Sequence, residues 1–254
     1  MTIVLVSILI FVVTLGAALP GLHVHSLLPA EQKSESARSI VGQVSGLVSL
    51  LLALVLGTLV GASFAFFSTQ KTELETLAAQ FVEFDQALAQ YGPETKPARD
   101  RLKQAAQHAY DAFWGGGEVD PKILTVADTI ETSHALEAFL ASLAPTTEAQ
   151  KKAVASANTL AGQIDHGRIL ANLQLVSHPV TPGLVIVIVI WAIILFFGMG
   201  LFAKSNELVI SALAFGAVCV AFAIFLILEL GLPYTGLLRV SPAALQEAIA
   251  NIDK

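Results

Sequence analysis

From Val41 to Phe67 the chain places 27 consecutive residues without a charge, and it then runs on to Tyr91 without a proline. About 20 apolar residues suffice to cross the roughly 30 Å of hydrocarbon in a bilayer, so this run predicts a transmembrane helix with room to tilt. Beyond it, Leu74, Leu77, Phe81, Phe84, Leu88 and Tyr91 recur at alternating spacings of three and four. That is the pattern of a coiled-coil seam. A single helix over the 52 residues from Ile40 to Tyr91 would be about 78 Å long.

Within the uncharged half, Gly42, Gly46, Ser49, Ala53, Gly57 and Gly61 fall within an arc of about 120° on a helical wheel. Leucine gains little by leaving lipid for another helix, whereas small residues let backbones approach and collect dispersion contacts. The face is therefore expected to join copies of the chain, continued beyond the membrane by Leu74, Leu77, Phe81 and Phe84. No unbroken hydroxyl stripe follows this helix. A pore beside it would be mostly apolar and could gate by dewetting, with Phe64, Phe66 and Phe67 as candidate constrictions.

Hydrophobic residues make up 55% of the 254 and charged residues 13%, against about 25% charged in soluble domains. Together with the mean hydropathy of +0.71, this defines an integral membrane protein. The apolar runs are 3–19, 41–67, 184–202 and 208–228. No Lys or Arg precedes the first, and no small-x-small cleavage site follows it before Pro20-Gly21, so it reads as an anchor rather than a signal peptide. The expected division is 1–67 for spans one and two, 68–181 for a polar insert, 182–230 for spans three and four, and 231–254 for a turn and a short amphipathic helix. The link from Pro20 to Arg38 reads as an interfacial loop.

The insert carries the 3.6-residue period four times. Its segments are the continuation of the long helix, 95–114, 127–143 and a stretch from Thr146 or Thr147 to about Leu175, separated by Gly92-Pro93, Gly115-Gly116-Gly117 and Pro145. No strand signal intervenes, so the fold class is all-α: four transmembrane helices with a polar helical bundle between the second and third. At the C-terminus, Ser241 and Pro242 start a helix whose Leu245, Ala248, Ile249 and Ile252 share one face. That face lies either on the membrane or against the bundle.

A net charge of −6 offers no basic field for phosphates, which excludes a nucleic-acid partner. The single Cys219 excludes a disulfide framework and a thiolate metal site. No GxSxG, HExxH, CxxC or P-loop is present. Neither enzyme activity nor a cofactor or metal is expected. His23-x-His25 lacks a third ligand, and Asp165-His166 with Arg168 reads as a solvated helix face. Glu229, closing an uncharged run, either snorkels to the interface or faces a protein interior or an aqueous path. Near the span ends Lys71, Arg168 and Arg239 balance Lys33, Arg38 and Lys204, so the positive-inside rule leaves the side of the insert open.

Several stretches resemble the bacterial bestrophin-like membrane family, related to bestrophin anion channels. They are Phe67-Ser68-Thr69-Gln70, Tyr91-Gly92-Pro93-Glu94-Thr95-Lys96 with Ala98-Arg99, and Phe197-Gly198-Met199-Gly200-Leu201-Phe202-Ala203. The most specific is Phe225-Leu226-Ile227-Leu228-Glu229, followed by Pro233-Tyr234 and Gly236-Leu237. The resemblance implies a homo-oligomeric, multi-pass channel in the cell inner membrane, with its helical insert in the cytoplasm. The resemblance further implies that it conducts small ions, anions by analogy, and by the same analogy that it is a pentamer contacting membrane lipids. The acidic calcium-binding run of bestrophins is absent after Tyr234, so calcium gating is not implied. The alternative is a non-conducting scaffold or sensor whose polar bundle binds a ligand or partner protein.

Overall fold

The computed structural model describes residues 2–27, 29, 35–115, 126–176, 180–203 and 206–253. Its elements in chain order are α1 (Thr2–Leu27), α2 (Glu35–Tyr91), a 3₁₀ turn (Pro93–Thr95), α3 (Lys96–Trp114), α4 (Val126–Ser142), α5 (Glu148–Val176), α6 (Pro182–Phe202), α7 (Glu207–Leu230) and α8 (Ala243–Asn251). No strand occurs among the described residues. Four of these helices, α1, α2, α6 and α7, are long and apolar enough to cross a membrane.

The helix ends follow local chemistry. Gly92, at φ 145°, stops α2 in a conformation that side-chain-bearing residues rarely adopt. Buried Thr95 then donates its hydroxyl to the carbonyls of Leu88, at 2.6 Å, and Gly92, at 2.8 Å, so the end of α2 keeps its acceptors satisfied. Thr147 caps α5 by accepting from the Gln150 N–H, and Asn206 caps α7 by accepting from the Leu208 N–H.

The chain divides into two compact units. The first comprises Met1–Phe67, Pro179–Leu232 and Gly236–Leu238, and the second Ser68–His178, Pro233–Thr235 and Arg239–Lys254. In the first, α1 packs against α6 and α7. Ile10, Leu52, Leu56, Ile188, Ala192 and Ile224 belong to its main core. In the second, Phe81, Phe84 and Leu88 of α2 are buried with Ala106 of α3, Leu140 of α4, Ala157 and Ile164 of α5, and Leu245 and Ile252 from the C-terminal segment.

Two expectations change, and one open alternative is decided. First, α1 does not end at Pro20 but continues to Leu27. A membrane helix tolerates proline because neighbouring groups re-satisfy the freed carbonyl. His23 and His25 therefore lie on a helix rather than in a loop. Second, of the two places open to the face of the tail helix, it takes the bundle: Leu245, Ala248 and Ile252 are buried in the second unit.

Third, the polar half of the seam is used within the chain. Leu74, Phe81, Phe84, Leu88 and Tyr91 are buried, and Leu77 packs against the same core. A stripe spaced three and four requires a helix to cover it, and here helices of the same chain do so. Leu77, Phe81 and Phe84 thus belong to the bundle core of a single chain, and Leu74 is buried in the same unit.

Candidate functional site

The membrane half of α2 presents two different faces. Leu52, Leu56 and Ser63 are buried inside the first unit. At 100° per residue, Gly42, Gly46, Ser49, Ala53, Gly57 and Gly61 centre about 95° away from them. A Cβ placed on Gly42, Gly46, Gly57 or Gly61 meets nothing within 4 Å. The small-residue face is therefore open within a single chain. Phe64, 60% exposed, lies on this face, whereas Phe66 and Phe67 are partly buried.

The glycines that bring helices of the chain close together are elsewhere. A Cβ on Gly200 of α6 would strike the Ala18 carbonyl oxygen and lie 3.2 Å from the Leu22 nitrogen. One on Gly21 would strike the Phe197 carbonyl oxygen and lie 2.8 Å from the Leu201 nitrogen. Backbone meets backbone here, which only glycine permits. The motif around Gly200 was legible, but its partner Gly21, in a stretch read as a loop, was not.

Glu229 faces a protein interior. Only 1% of it is exposed, and its Oε1 accepts from the backbone N–H groups of Leu237 and Leu238, the latter at 3.0 Å. Gly236 sits in the left-handed region at φ 91°, and a Cβ there would run into the Glu229 carboxylate. The turn after α7 thus wraps around the acid that ends it. Removing a buried acceptor leaves each donor unpaired at a cost of about 1–3 kcal/mol. Glu229→Leu is therefore expected to lower the thermal unfolding midpoint in detergent clearly more than Glu229→Gln, which keeps one oxygen acceptor. Equal midpoints for the two variants would show that these hydrogen bonds contribute nothing.

In the second unit, Gln70 is fully buried and donates to Gln174, while Gln174 Nε2 donates to Glu73 Oε1 at 2.8 Å. The Tyr234 ring packs 4.7 Å from Phe113 and 5.7 Å from Trp114, centroid to centroid. Burial, and then the nearby Glu73 carboxylate, push the Tyr234 hydroxyl up to about 12. The folded state thus holds this proton more tightly than the unfolded state, whose tyrosine titrates near 10. The corresponding stability is complete below about pH 10 and is lost as pH rises toward 12. Denaturant titration at pH 9 and pH 11.5 is expected to show a larger drop for the parent than for Tyr234→Phe, by roughly 2 kcal/mol.

Arg99 Nε and Nη2 donate to Asp85 Oδ1 and Oδ2 at 2.7 and 2.9 Å, and the Asp253 N–H donates to Asp85 at 3.1 Å. Hydrogen bonding to Asp85 holds the Arg99 guanidinium above its ordinary range, and Lys96 holds the half-buried Asp253 carboxyl below its own. Lys103 also donates to the Ile252 carbonyl at 3.2 Å, so the C-terminal segment is tied to α2 and α3. Arg99 belonged to the family resemblance, yet its partner Asp85 was invisible among the charges of α2.

The bundle also encloses a cavity of about 990 Å³. Its lining includes Leu77, Phe84, Phe113 and Phe139 together with Asp165, His166 and Arg168. Those last three, expected on a solvated face, are thus brought to a concave surface. Among the described residues no group of three His, Cys, Asp or Glu could hold a metal ion.

Four apolar helices and a helical insert that closes on its own core define a membrane protein of the class that interrupts its hydrophobic spans with a folded bundle. The family described as Bestrophin-like domain matches residues 12–245. The chain belongs to the bestrophin-like family. No curated protein and no solved structure matches it.

Proposed function

We propose that the chain is a bestrophin-like channel subunit that assembles through α2 and conducts small ions, with anions as the first class to test. Membership of the family supports this reading. The observation that carries it is the open face of α2, where four glycines have no neighbour and Phe64 stands exposed in the same arc. In this reading the protein is multi-pass in the cell inner membrane with its insert in the cytoplasm. Copies pack glycine to glycine, and Phe64, with Phe66 and Phe67, narrows a dewetting path between them.

Because a Cβ at Gly57 or Gly61 has room in a lone chain, Gly57→Leu and Gly61→Leu are expected to leave the subunit folded while converting the detergent-solubilised oligomer to monomer. Light scattering coupled to size exclusion reads this directly. Purified protein in planar bilayers should carry stable currents whose amplitude or gating changes in Phe64→Ala. Silence at verified insertion would favour the second reading, a non-conducting sensor or scaffold. The bundle cavity is the observation in favour of that alternative.

A further inference from the structure

The cavity of the second unit has walls and a mouth of different chemistry. Six aromatic side chains line it: Phe81, Phe84, Phe113, Trp114, Phe139 and Tyr234. Phe81 and Phe84 are buried, whereas Arg101, His108 and His166 on the same lining are exposed and Arg168 is partly so. Phe81 and Phe84 thus lie deeper than the cationic side chains of the same lining.

Two carboxylates share the lining with these groups. Glu73 is held by the side-chain amides of Gln70, at 3.3 Å, and Gln174, at 2.8 Å, which occupy its acceptor oxygens without removing its charge, and Asp165 is the other. Among the described residues neither Arg101 nor Arg168 forms an ion pair. Ligand pockets generally span about 300–1,000 Å³, with apolar walls and a few polar groups that fix orientation. This cavity, at about 990 Å³, is at the upper end of that range.

We propose that the bundle cavity binds a small organic monoanion with an aromatic body, such as an aryl-alkanoate. Its ring packs among the six aromatic side chains, edge to face or offset. Its carboxylate pairs at the mouth with the guanidinium groups of Arg168 and Arg101, whose planar forks suit a carboxylate. Binding of this kind does not depend on conduction and would stand even if the channel reading failed.

Trp114 is one of only two tryptophans in the chain, so Trp191→Phe makes it the sole reporter. Gly162 of α5 also lines the cavity, and a Cβ there meets nothing within 4 Å. Gly162→Phe therefore fills the space while replacing a poor helix former with a better one. The experiment titrates 4-phenylbutyrate, and its neutral analogue 4-phenylbutanol, into full-length Trp191→Phe protein in lipid nanodiscs, with calorimetry alongside Trp114 emission.

The expected result is a saturable change with the acid that Gly162→Phe abolishes. Arg168→Gln should weaken the acid roughly tenfold or more, as loss of a charge-assisted hydrogen bond requires, and leave the alcohol nearly unaffected. No saturable signal, equal affinity for acid and alcohol, or binding that survives Gly162→Phe would each overturn the proposal. So would a Trp114 shift that depends on protein concentration alone, since a second copy would then occupy the cavity.

Discussion

Replacing Gly200 by leucine is expected to abolish recovery of a folded membrane unit. The new Cβ would strike the Ala18 carbonyl and crowd the Leu22 nitrogen, both of them backbone atoms of α1 that cannot turn aside. The two helices would have to separate, which opens the contact over Ala18, itself fully buried. Overpacking a core costs about 1–3 kcal/mol when side chains can move, and a backbone clash belongs at or beyond the top of that range. Gly198→Leu is the matched control, because a Cβ at Gly198 meets nothing within 4 Å. It should fold as the parent does, and slightly better if helix propensity is felt. Thermal unfolding in mild detergent reads both variants. Indistinguishable midpoints for the two would mean that α1 and α6 do not touch through Gly200.

Arg99→Leu should have the second largest effect, confined to the bundle. Asp85 is 3% exposed and receives two hydrogen bonds from Arg99, so the substitution strands a buried carboxylate with the Asp253 N–H as its remaining partner. Breaking a buried pair from one side typically costs about 3–5 kcal/mol, whereas replacing both partners by apolar residues costs far less. The double variant Asp85→Leu with Arg99→Leu is therefore expected to recover much of the loss. Because Asp85 also orients Asp253, the single variant should make the C-terminal segment more accessible to carboxypeptidase than in the parent. A double variant no more stable than the single one would show that charge stranding is not the cause.

Much of this architecture is legible in the residues themselves. The uncharged run 41–67 and the three other apolar runs identify the helices long and apolar enough to cross a membrane, since the need to satisfy every backbone group in lipid leaves a helix as the simplest solution. The helical insert follows from the 3.6-residue period and from Gly92-Pro93, whose backbone geometry ends α2 as expected. The candidate site is less legible. Gly42, Gly46, Gly57 and Gly61 are found where the wheel places them, on an open face, but Leu74, Phe81 and Phe84 are enclosed by the chain's own helices. Nothing in Asp85, Gly21 or Gly236 taken singly announces a partner, because each acts on a residue distant in sequence or across a turn.

Helix type, span number and the presence of a polar insert are determined by the sequence alone, because they depend on local period, length and charge. Which glycines meet a neighbouring backbone, which helix covers the leucine stripe and where Glu229 finds its donors are decided only by tertiary structure. An apolar stripe demands a cover and a glycine permits an approach, but neither specifies the partner. That choice is made when distant segments compete for the same surface and the best-packed arrangement wins.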